Sequence, residues 1–110
     1  MIGLDTNILA RYYIDDENDE ESAGQHQAAR RLIESGQPLM VCVTVVLELE
    51  WVMRGYYGFQ HEDVAAIFRH LLSLPHVVVE SRETLVHAIS QSDAGLEFAD
   101  ALHHASYRGC

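Results

Sequence analysis

Three observations predict an α/β fold built on a central parallel sheet. Short apolar runs at residues 2–5, 39–43 and 76–80 have the length of strands, and the last carries three consecutive valines, as parallel strands buried on both faces do. The stretches between them place apolar residues at helical spacing, so strands alternate with helices or helix pairs, the pattern of crossover connections. At 110 residues and 48% apolar content the chain has material for one core, so residues 1–110 are expected to form a single domain. Neither an internal repeat nor a linker-like segment interrupts it.

The elements follow in order. The first strand, 2–5, delivers Asp5 to its carboxyl end, where Thr6-Asn7 turns the chain into a short helix with Ile8, Leu9, Tyr12 and Tyr13 on its apolar side. The acidic run from Asp15 to Glu21 is expected to be a solvated loop entering the next helix. That helix runs from Ser22 to Ser35 on Ala29, Leu32 and Ile33, and Gly36 closes it as a left-handed cap. Pro38 opens the second strand, Leu39 to Val43, and Thr44 is the expected cap of a helix over Val45 to Gly55 that is apolar almost all round and therefore expected to be buried. After the Gly55 to Gly58 loop, Val64, Ile67, Phe68, Leu71 and Leu72 form the clearest amphipathic stripe, which Pro75 ends. The third strand, His76 to Glu80, is followed by Ser81 as the cap of a helix with Leu85, Ala88 and Ile89 inward. Gly95 separates that helix from a last one, Leu96 to Arg108, with Phe98, Leu102 and Ala105 inward.

Composition excludes several functions. The formal charge of −10, from 17 acidic residues against seven arginines and no lysine, leaves no basic face that could hold nucleic acid by phosphate neutralisation alone. A polyanionic substrate would need positive charge from a divalent metal or an arginine-bearing partner. The cysteines, Cys42 and Cys110, give no disulfide framework, and Cys42 is expected in the core. No apolar run approaches a membrane span and no secretion signal opens the chain, so a cytoplasmic location without membrane contact is expected. There is no Gly-rich phosphate loop, no Gly-x-Ser-x-Gly elbow and no aromatic platform for bases.

What remains is a set of carboxylates. An acid at the carboxyl edge of a parallel sheet stands where ligands bind, so Asp5 asks for a cation, unless Asp5, Thr6 or Asn7 merely caps the helix that follows. Glu48 lies one turn into the helix after the second strand; with Val45 and Val52 beside it, it is expected to be embedded, and so to need a cation or an arginine. Glu50 points to the far side near Arg54. In the last helix Glu97, Asp100 and His104 line one face at spacings of three and four, which serves either a metal or a merely solvated surface. Oxygen donors suit magnesium or manganese; His103-His104 without a third nitrogen or sulfur ligand does not suit zinc.

Three segments carry a resemblance. Leu4-Asp5-Thr6-Asn7-Ile8-Leu9-Ala10-Arg11-Tyr12, Val43-Thr44-Val45-Val46-Leu47-Glu48-Leu49-Glu50-Trp51-Val52 and Phe98-Ala99-Asp100-Ala101-Leu102-His103 resemble, in order and separation, the three motifs of the PIN-domain ribonucleases, and most closely the VapC-type toxins of bacterial toxin-antitoxin pairs. The resemblance implies a three-layer α/β/α fold and an endoribonuclease dependent on Mg2+ or Mn2+. Asp5, Glu48 and Asp100 would hold the metal and carry catalysis, Glu97 would be a further acid beside them, and Thr6 and Asn7 would orient Asp5 from behind. It also implies RNA as substrate, a homodimer and a cognate antitoxin as partner. Two rival expectations are a degenerate module that only docks an antitoxin or other partner, and a nuclease for flapped or structured nucleic acids. One departure stands out: the family pattern continues into a further strand ending in Thr-x-Asp, which this chain lacks. Either the protein lacks that fourth carboxylate, or, as is expected, the chain is cut short by roughly 20 residues, enough for one or two strands and their connection.

Overall fold

The structure, a computed structural model, describes residues 1–14, 20–93, 97, 98 and 100–103. The acidic run at 15–19, Gly95, His104 and most of the last predicted helix lie outside the described residues. The elements are β1 (Ile2–Gly3), α1 (Thr6–Tyr13), α2 (Glu20–Ile33), β2 (Leu39–Val41), α3 (Val43–Trp51), α4 (His61–Ser73), β3 (Val77–Val79) and α5 (Arg82–Asp93), with a π-helical turn over Val52–Tyr56 continuing α3. Residues 98 and 100–103 are helical as well.

Among the described residues the three strands form one parallel sheet in the order β1-β2-β3, with Ile2 beside Leu39 and Leu39 beside Val77. The α/β alternation read from the sequence is therefore the architecture. Alternate residues of the strands go to opposite faces. Leu4, Leu39, Val41, Val77 and Val79 are buried, whereas Val78 between the last two is 48% exposed and Gly3 is open. The three valines of β3 are thus not all buried as expected: the side chains of one face enter the core, and the other face stays partly open.

Helix α4 supplies the largest share of the core. Val64, Ala65, Phe68, Leu71 and Leu72 are buried at the spacing of one helical face, and Asp63 Oδ2 accepts from Gln60 N at 3.3 Å to close the first turn. Phe98 stacks on Phe68 with ring centroids 5.2 Å apart and planes at 26°, and Ala101 and Leu102 are buried beside it, so the last described segment packs into the same core. Helix α1 packs on α2 and α3. Polar clips fix the helices further: Tyr13 OH lies 2.8 Å from His70 Nδ1, and His76 Nε2 donates to the carbonyl of Ile33 at 2.5 Å.

Several boundaries differ from those predicted. Gly36 does take a left-handed conformation, φ 79°, after α2. Helix α3, however, starts one residue before Thr44, with Cys42 at the cap position and no side-chain cap bond. Cys42 is also exposed rather than in the core, because it sits in the turn where β2 has ended and the chain leaves the sheet. Downstream, the ladder widens into π turns, with Tyr57 N donating to Val52 O at 3.2 Å, which an apolar pattern of period 3.6 does not announce.

Candidate active site

The site is built by the sheet's carboxyl edge. Leu4 N donates to Met40 O and Glu80 N to Val41 O, both at 2.8 Å, so the strands stay paired up to their last residues and the register brings Asp5, Cys42 and Glu80 level with one another. From that edge α1 and α3 leave side by side and pack together. Asp5 is exposed and is the cap of α1: its Oδ1 accepts from Ile8 N at 2.8 Å. The two readings of Asp5 are compatible, because capping occupies one oxygen of an exposed carboxylate. Its orientation comes from the Ile8 amide; Thr6 is buried and Asn7 exposed.

The burial expected for Glu48 is corrected. Glu48 is exposed, while Glu50 is 7% exposed and within 3.2 Å of Arg54 Nη1. The cause is the position of the inward stripe. Val46, Leu49, Glu50 and Met53 are the buried residues of this stretch, at the i, i+3, i+4, i+7 spacing of one face, and Glu48 lies 200° round from Glu50. The pairing of Glu50 with Arg54 is as expected. The contact is at ion-pair distance but not aligned as a hydrogen bond, so Glu50 Oε1 is buried without one. Burial pushes the Glu50 carboxyl above its ordinary range; Arg54 pulls it back, Glu97 adds to the rise, and His61 opposes it.

Sequence reasoning missed the neighbourhood that results. An open groove of about 480 Å3 is lined by Leu47, Glu50, Trp51, Arg54, Gly55 and Glu97, so Glu97 joins Glu50 and Arg54. Asp100, one turn further along, is exposed. Sequence reasoning also missed Glu80, whose Oε1 accepts from Val43 N at 3.3 Å. The signal available for it was its place as the last residue of a predicted edge-forming strand, the same place that singled out Asp5.

Oxygen donors on exposed side chains, as at Asp5, Glu48, Glu97 and Asp100, fit a hard divalent cation. The structure does not bring them into one cage: among the described residues no three His, Cys, Asp or Glu side chains converge at metal-binding distance. No described helix is long and apolar enough to cross a membrane.

Comparison with known proteins returned no match among curated proteins and none among solved structures. A family model does match. It covers residues 2–108, nearly the whole chain, and describes the PIN domain, whose members are generally nucleases that use divalent metals. The chain belongs to the PIN domain family.

Proposed function

We propose that the protein is a metal-dependent endoribonuclease, the toxin of a toxin-antitoxin pair, working at the edge where β1 and β2 hand over to α1 and α3. The observation that carries this reading is the placement of two motif acids: Asp5 at the end of β1 and Glu48 on α3, two helices that start from adjacent strands and pack together, in a chain matched as a PIN domain over residues 2–108. Asp5, Glu48 and Asp100 would hold Mg2+ or Mn2+, with Glu97 as a further acid. A bound ion would supply Lewis acidity and neutralise phosphate charge, which a chain of net charge −10 cannot do alone. The protein's own part is positional: the Ile8 amide fixes Asp5, and the first turn of α3 sets the height of Glu48 above the edge.

A homodimer and a cognate antitoxin belong to the same proposal. Trp51 is 69% exposed and Tyr56 79% exposed along one stretch, apolar surface of the kind that a second subunit covers. A cytoplasmic site of action goes with that role. One observation favours a second reading, a PIN module that docks a partner without cutting: among the described residues no three acids converge. Cleavage of a labelled single-stranded RNA with magnesium, with manganese and with chelator separates the two. Metal-dependent cleavage that disappears in Asp100→Asn supports the enzyme; tight binding of a partner with no cleavage in any metal supports the module. A parallel assay on flapped duplexes tests for a structured substrate.

A further inference from the structure

We propose that Glu80 is a positioning residue for Glu48, acting through the first turn of α3; the inference rests on the nuclease reading above. Helix α3 has an incomplete start of its own, since Cys42 occupies the cap position and makes no side-chain bond to it. The missing acceptor comes from the neighbouring strand. Glu80 Oε1 accepts from Val43 N at 3.3 Å in a partly buried setting, where an anion also meets the positive end of the helix.

Glu80 is itself held in place from both sides. Its N–H donates to Val41 O at 2.8 Å, which ties it to β2 two residues before α3 begins. The next residue, Ser81, has φ 56°, a left-handed conformation that residues other than glycine seldom adopt. The chain accepts that geometry in turning from β3 into α5, and Glu80 stays level with the start of α3. The arrangement matches the other helix of the site, where Asp5 accepts from Ile8 N. A carboxylate thus fixes each of the two helix starts, one from its own chain turn and one from across the sheet.

The consequence falls on Glu48. It is five residues into α3 and exposed, so its place follows the helix that carries it rather than packing of its own side chain. Loss of the Glu80 bond frees the first turn to fray and lets Glu48 lose its height relative to Asp5. Groups that orient metal-binding side chains from behind commonly matter to both affinity and rate.

The test uses the full chain as wild type, Glu80→Ala, Glu80→Gln and Glu80→Asp. Amide exchange at Val43 is measured without metal, Mg2+ affinity by calorimetry, and kcat on single-stranded RNA. Glu80→Ala is expected to speed exchange at Val43 and to lower Mg2+ affinity and kcat by about tenfold, whereas Glu80→Gln, which keeps an acceptor of the same reach, stays within about threefold of wild type. Glu80→Asp keeps the charge but falls short of Val43, so it is expected to behave as Glu80→Ala, and it decides the matter if the alanine variant does not fold. Unchanged exchange at Val43 in the alanine and aspartate variants overturns the cap. Faster exchange with unchanged affinity and kcat overturns the link to Glu48 and leaves a structural bond only. A glutamine variant that keeps wild-type exchange at Val43 yet is as impaired as alanine overturns positioning, because the site would then need the charge of Glu80 and not its bond to the start of α3. Wild-type protein that neither binds Mg2+ nor cleaves RNA overturns the nuclease reading and Glu80's role toward Glu48 with it, and the exchange data would still report on the cap by itself.

Discussion

Helices α3 and α4 lie in one small domain and use their faces in opposite ways. Helix α4 buries Val64, Ala65, Phe68, Leu71 and Leu72 and turns Glu62, Asp63 and Arg69 outward, so nearly everything about it is explained by packing. Helix α3 buries an acid, Glu50, between Val46, Leu49 and Met53, and leaves Trp51 in the open. An apolar residue at position 50 and a polar one at 51 would satisfy burial better. That inversion teaches where function is to be sought: a helix that packs less well than its composition permits has surface committed to something besides the core.

The contrast is sharpest in stability. Phe68 is fully buried and stacked on Phe98, so Phe68→Ala removes packing from both α4 and the last described segment. The expected cost is about 3–5 kcal/mol, read as a fall in the denaturation midpoint. A loss below about 1 kcal/mol would show that α4 is not the centre of the core.

Next in size is the effect on activity, and it turns on which acid of α3 serves the site. With Glu48 exposed, Glu48→Gln is expected to leave stability within about 0.5 kcal/mol. It is expected to lower RNA cleavage at least about a hundredfold, roughly 2.7 kcal/mol of barrier, because a carboxamide keeps the shape and loses the charge. Asp5→Asn is expected to do the same while keeping the α1 cap, since asparagine caps as well as aspartate. If Glu50→Gln abolishes cleavage and Glu48→Gln does not, the roles of the two acids are reversed and the groove of Glu50, Arg54 and Glu97 is the active site.

These particular residues also show what the sequence could and could not reveal. The stripe of α4, the alternation of strands with helices and the left-handed Gly36 follow from local pattern, because one physical cause dominates at each. In α3 the pattern fails. Eight of the eleven residues from Val43 to Met53 are apolar, so hydrophobicity does not choose between faces, and the choice falls to tertiary packing against α1. The inward stripe at 46, 49, 50 and 53 has the spacing of a helical face, but an acid at its centre disguises it. Cys42 and Glu80 were obscured differently: both depend on the residue at which a strand ends, and strand ends are set by partners far away in sequence.

A smaller effect concerns pH and again separates α3 from α4. The Glu50 carboxyl is raised above its usual 4.5, chiefly by burial. A folded-state value above the unfolded one means the native state holds this proton more tightly. Glu50 therefore favours folding most at pH below about 4.5, and the favour is lost as pH rises through the folded-state value. Glu50→Gln removes this titration. The variant's stability minus that of wild type should become more positive from pH 4 to pH 8 in denaturant titrations, after the same comparison at high salt has accounted for Arg54. A difference that is flat or falls with pH would mean that Arg54 outweighs burial.

The last effect is nearly zero in stability and informative for that reason. Trp51 is the single tryptophan of the chain, and at 69% exposed it contributes little to the core, so Trp51→Ser should change monomer stability by no more than about 0.5 kcal/mol. Its fluorescence then reports on the surface rather than on folding. In dilute protein the emission should be that of a hydrated indole. If the exposed Trp51 and Tyr56 face is where two copies meet, raising the concentration should move the emission to shorter wavelength, together with a rise in mass by light scattering. Trp51→Ser should then lower the dimer fraction at a given concentration and leave the unfolding midpoint of the dilute protein in place. Emission that stays solvent-like while the mass doubles would move the dimer interface off α3, and its exposed aromatic side would then need another occupant.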